Sequence, residues 1–184
     1  SEHAQLAVDA LLIASGRQPA TASLHPENAG IAVNERGAIV VDKQLHTTAD
    51  NIWAMGDVTG GLQFTYISLD DYRIVRDELL GEGRRSTDDR KNVPYSVFMT
   101  PPLSRVGMTE EQARESGADI QVVTLPVAAI PRARVMNDTR GVLKAIVDNK
   151  TQCILGASLL CVDSHEMINI VKMVMDAGLP YSIL

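Results

Sequence analysis

Between Gly81 and Asn92 the chain reads Gly-Glu-Gly-Arg-Arg-Ser-Thr-Asp-Asp-Arg-Lys-Asn, twelve residues without one apolar side chain. No hydrophobic core can run through such a stretch, so it divides the chain into parts that must each bury their own apolar surface. Before it, short apolar runs are interrupted by glycine and proline. After it come longer β-rich runs and two segments of helical spacing.

The 184 residues, 45% hydrophobic and 22% charged, suit a globular protein of one or two domains, long enough to form a core without disulfide staples. Net charge is −6, and Arg84, Arg85, Arg90 and Lys91 form the densest basic patch. That argues against a nucleic-acid surface. No apolar run has membrane-spanning length, since Ala7–Ala14 is broken by Asp9. Ser-Glu-His-Ala-Gln at the start lacks the basic region of a signal peptide, which leads to a cytoplasmic expectation. Cys153 and Cys161 fall at the two ends of one predicted strand. An eight-residue separation in extended chain is roughly 26 Å, against the ~6 Å that a disulfide tolerates, so they are read as unpaired, buried thiols. Asn137-Asp-Thr139 and Asn149-Lys-Thr151 have the form of glycosylation triplets, which matter only in a secreted protein.

Val8–Ala14 reads as a buried strand closed by Ser15-Gly16, and Ile31–Val33 and Ala38–Val41 as a hairpin around Asn34–Gly37. Asn51–Met55 is a further strand, ending in Gly56-Asp57. Apolar positions at Ile67, Ile74, Val75 and Leu79 predict a helix from about Thr65 to Leu80, with Gly81 as its stop. In the second half Tyr95–Met99, Ile120–Ile130, Gly141–Asp148 and Ile154–Cys161 read as strands. Thr109-Glu-Glu-Gln112 is a capping box, with Gly117 as the stop, and Asp163–Ala177 is a second long helix. Pro180 would open one more helical turn. Strands and helices do not alternate regularly here, which predicts an antiparallel sheet with helices packed on it.

The chemistry-bearing feature is the strand that ends in Gly56-Asp57, followed by Gly60-Gly61 and then a helix. Glycines let the backbone approach a ligand closely, and a carboxylate accepts hydrogen bonds from sugar-like hydroxyls. The same pattern also suits an ordinary turn. His165-Glu166 could begin a zinc-protease motif, but that motif needs a second histidine at the position Asn169 occupies. His3, His25 and His46 lack partners at ligand spacing, and Met167, Met173 and Met175 read as packing residues of an apolar helix. No metal site and no catalytic set is expected in this chain.

Ala14-Ser15-Gly16-Arg17-Gln18-Pro19 and Thr47 (or Thr48) to Asp57, through Ile52-Trp53-Ala54-Met55-Gly56, together resemble the second FAD-contacting segment of the pyridine nucleotide-disulfide oxidoreductases. Val93-Pro94-Tyr95, Thr100-Pro101-Pro102 and Val106–Glu110 resemble the opening of that family's dimerisation domain. Gly141–Lys144, Ile154–Ala157 and His165–Ile168 resemble its later sheet and helix, and Pro131-Arg132-Ala133 looks closest to the mercuric-reductase-like branch. The resemblance implies an α+β fold: a C-terminal dimerisation domain over 92–184, preceded by a second FAD-binding segment over 20–86 and the end of the NAD(P)-binding domain over 1–19. It implies cofactor contacts at Gly56, Asp57, Gln63, Phe64 and Thr65. Asp57 would hold a ribityl hydroxyl, and the helix N-terminus after Gln63 would face the flavin pyrimidine ring.

The family's two glycine fingerprints, redox cysteine pair and His–Glu acid/base pair have no counterpart among these residues. The expectation is therefore a C-terminal part of a longer FAD-dependent NAD(P)H oxidoreductase, acting as a homodimer on a disulfide, quinone-like or soft-metal acceptor. By itself it would be a dimerisation module without turnover. The competing reading is a non-enzymatic dimeric α+β binding domain.

Overall fold

The computed structural model describes residues 6–184. They form two compact units, one ending at Asp89 and the other beginning at Arg90.

The first unit contains one long helix, α1 (Thr65–Leu80), packed on irregular chain. Its bounds are those predicted by the apolar spacing, and Gly81 closes it with its N–H donating to Asp77 O. Ile67, Asp71 and Ile74 form the buried stripe of this helix. The predicted hairpin around Asn34–Gly37 exists, but as a single antiparallel bridge between Val33 and Ile39. The predicted strand ending at Met55 likewise reduces to one bridge, His46 with Trp53. His46 sits 3.0 Å from Asp42 and 3.4 Å from Glu78, which joins this hairpin to the last turn of α1.

The Val8–Ala14 strand does not form. Leu11, Leu12 and Ile13 are 77–89% exposed. A strand exists only through ladder partners, and no described segment pairs with this run.

The second unit is an α+β domain, as its irregular alternation of elements predicts. Five strands, β1 (Tyr95–Val97), β2 (Leu103–Gly107), β3 (Ile120–Pro126), β4 (Val142–Asp148) and β5 (Ile154–Leu160), form one sheet in the order β1-β2-β5-β4-β3. Every pairing is antiparallel. Between the strands lie α2 (Glu110–Glu115) and α3 (Pro131–Val135), and α4 (Ser164–Asp176) follows β5. At α2 the capping box is complete, with the Gln112 N–H donating to the Thr109 hydroxyl and the Thr109 N–H to Gln112 Oε1. Val106, Ile154, Ala157, Leu159 and Ile168 form the core, joined by Val127 from the turn after β3 and by Cys161. Each large apolar side chain removed from water here contributes about 1.5–3 kcal/mol. Cys153 and Cys161 flank β5 and are both free. Burial pushes the Cys161 thiol up, with Asp163 adding to the effect.

Candidate functional site

Gly56-Asp57 opens a 3-10 turn, Gly56–Thr59, that leads toward the start of α1. The turn is held at both ends. The Thr59 hydroxyl donates to Gly56 O at 2.9 Å, and the Gly60 N–H donates to Asp57 O at 3.0 Å. Ile39 N–H donates to Val58 O at 3.0 Å, which fastens the turn to the first hairpin. Gly56 is buried with φ +75°, and a Cβ placed there would come 2.8 Å from Ser68 Oγ on α1. Only glycine fits that combination of left-handed backbone and close approach. At Gly60 a Cβ would meet that of Ala38 at 2.7 Å.

The Asp57 side chain is half exposed and lies 3.8 Å from one guanidinium nitrogen of Arg17. So loose and solvated a pair contributes little to stability. It leaves the carboxylate oxygens accessible to other hydrogen-bond donors. Gln63 and Phe64 lie immediately before α1 and Thr65 is its first residue. Phe64 occupies the N-cap position and supplies no side-chain acceptor to the first-turn amides, whose dipole favours negative charge. Its ring stacks on Tyr66 at 5.2 Å, and burial pushes the Tyr66 phenol up.

A cavity of about 730 Å³ lies beside this helix start, lined by Arg17, Asn34, Arg36, Gly60, Gln63 and Phe64 among others. Gln63 and Phe64 thus share one cavity, whereas Gly56, Asp57 and Thr65 are not part of its wall. Arg36 contributes a second guanidinium that the sequence reading did not single out. Asp71 was missed too. Its carboxyl group, 2% exposed, accepts the Gly56 N–H at 2.6 Å. The signal for Asp71 was legible, because an acidic residue stands on the apolar stripe between Ile67 and Ile74.

These groups fit a polyhydroxylated anionic ligand. A carboxylate is available for hydroxyls, guanidinium groups for phosphates, and a helix N-terminus for a developing anion. Among the described residues no group of three or more His, Cys, Asp or Glu side chains is arranged to hold a metal ion. No described helix is long and apolar enough to cross a membrane.

Residues 93–184 match the family described as "Pyridine nucleotide-disulphide oxidoreductase, dimerisation domain", and residues 1–71 match "Pyridine nucleotide-disulphide oxidoreductase". The chain belongs to the pyridine nucleotide-disulphide oxidoreductase family. Members of this family depend on FAD and take electrons from NAD(P)H. The chain is 98% identical over 184 residues to "Probable pyridine nucleotide-disulfide oxidoreductase RclA" of Escherichia coli (strain K12), covering all of this chain and 42% of that protein. It is 37% identical over 171 residues to the mercuric reductase of Staphylococcus aureus, covering 93% of this chain and 31% of the relative. The solved structure described as "Cu(II) complex of HOCl-induced flavoprotein disulfide reductase RclA from Escherichia coli" superposes with a TM-score of 0.94 at 97% identity, over 100% of this chain and 42% of that one. The chain therefore spans less than half the length of these relatives.

Proposed function

We propose that this chain is the portion of an FAD-dependent NAD(P)H oxidoreductase that supplies the second flavin-contacting segment and the dimerisation domain. The observation that carries the reading is the turn at buried Gly56, which presents an accessible Asp57 carboxylate shortly before the start of α1, where Phe64 supplies no side-chain cap. The Asp57 carboxylate accepts a hydrogen bond from a ribityl hydroxyl. The start of α1 at Gln63–Thr65 faces the pyrimidine edge of the flavin, where the helix dipole favours the negative charge of the reduced ring. FAD, when bound, supplies the hydride acceptor and the route for electrons toward the final acceptor. Disulfides and soft metal ions are the acceptor classes this reading favours, in keeping with the names of the relatives.

The unit beginning at Arg90 pairs two copies of the protein. Support comes from the dimerisation-domain match over 93–184 and from α4, which leaves Ile170 and Met173 58% and 69% exposed. Without the cysteine pair and the nucleotide fingerprints, the segment has no turnover of its own.

The test is Asp57→Ala in the full-length polypeptide. Purified variant protein should retain markedly less FAD by visible absorbance than the wild type. Equal flavin content in the two proteins would remove Asp57 from the site, and a colourless wild-type protein would favour the non-enzymatic reading.

A further inference from the structure

Asp71 is the one acidic side chain on the buried stripe of α1. A carboxyl group there costs free energy unless hydrogen-bonded, and an apolar residue would serve the packing better. Its carboxylate accepts the Gly56 N–H at 2.6 Å, a contact made across fifteen residues of sequence. That amide belongs to the residue immediately before Asp57, in a left-handed conformation that sets the direction in which Asp57 leaves the turn. The turn's other ties are internal to it, Thr59 to Gly56 O and Gly60 to Asp57 O, or run to the first hairpin, Ile39 to Val58 O. The Asp71 bond is the tie between the turn and α1, the element whose N-terminus forms the rest of the site.

We propose that Asp71 is a positioning residue for flavin binding: through the Gly56 amide it fixes the turn, and thereby the Asp57 carboxylate, relative to the start of α1. This inference rests on the reading of Asp57 as a flavin contact. Asp71 itself touches no cofactor. Removing its acceptor leaves a buried N–H without a partner, and the turn relaxes to satisfy it. Asp57 then keeps its chemistry and loses its aim.

The experiment is a double-mutant cycle on FAD affinity in full-length apoprotein, read by quenching of flavin fluorescence, with Asp57→Ala, Asp71→Ala and the double variant. Asp71→Ala should weaken FAD about tenfold in the wild-type background and less than about twofold in the Asp57→Ala background, because the second loss is already contained in the first. Asp71→Asn keeps an acceptor oxygen for the Gly56 N–H and should restore affinity to within about threefold of wild type. It also guards against misreading a folding failure of the alanine variant. Additive losses, or an asparagine variant as weak as the alanine one, would overturn the positioning role while leaving Asp57 as a contact. Asp57→Ala with unchanged affinity would overturn the underlying site, and the positioning role with it.

Discussion

Ser104 Oγ and Ser164 Oγ lie 2.9 Å apart, both side chains fully buried, and join β2 to the first residue of α4. Ser164 Oγ donates to Pro102 O at 2.8 Å, and Ser96 Oγ is 2.7 Å from Ser104 Oγ. A hydroxyl has one proton to give. Since Ser164 gives its proton to the carbonyl, the chain of donors runs from Ser96 to Ser104 to Ser164 to Pro102. It crosses from the edge strand β1 to the helix without an orphan at the buried serines.

Ser164→Ala should therefore cost more than a surface serine. It leaves the buried Ser104 hydroxyl without its acceptor and the Pro102 carbonyl with the Cys161 N–H alone, a loss of about 1–3 kcal/mol. Urea unfolding followed by circular dichroism measures it. A change below about 0.5 kcal/mol would show that the network relaxes or rehydrates freely.

Acid stability has a specific contributor at the end of α1. The Asp77 carboxylate accepts the Arg84 and Arg85 N–H groups at 2.8 and 3.0 Å. The Arg85 amide, above all, holds this carboxyl below its ordinary value of 3.8, with the Arg84 amide assisting and desolvation opposing. A depressed native value means that the unfolded chain takes up the proton first. The stabilisation is fully present above 3.8 and is lost as pH falls through the lower native value. Asp77→Asn should lower the urea midpoint at neutral pH, and the gap to wild type should close as pH falls below that point. A gap that stays constant with pH would assign the effect to packing instead.

The dimer proposal can be probed on α4. Met167, Ile170 and Leu184 line an apolar cavity of about 380 Å³ with Val123, Leu125 and Leu143 of the sheet. If a second copy covers this face, Ile170→Lys forfeits about 1.5–3 kcal/mol of apolar burial and raises the dimer dissociation constant roughly 10- to 100-fold. Sedimentation of the full-length polypeptide over a concentration series reads the shift directly. An unchanged constant would exclude this face, and a wild-type protein monomeric at every concentration would exclude the dimer.

Elements that carry their own signals were legible in the sequence. The limits of α1 follow from apolar spacing and Gly81, and the start of α2 from Thr109 and Gln112. Strands β4 and β5 follow from their β-rich runs around a polar turn. The Gly56-Asp57 turn and the helix start beside it were marked by residue types that only a few local conformations accept. What the sequence could not supply was anything that depends on a distant partner. Val8–Ala14 has the composition of a strand and no described neighbour to make it one. Leu103–Gly107, with Ser104, Arg105 and Gly107 interrupting its apolar character, becomes β2 because β5 hydrogen-bonds along it. The five-residue α3, also unforeseen, has too little length for a periodic signal. Asp71 shows the division most clearly. Its place on an apolar stripe was written in the sequence, but only the packing of α1 against the turn brought the Gly56 amide to it, because a buried carboxyl group must find its hydrogen bond wherever the fold provides one.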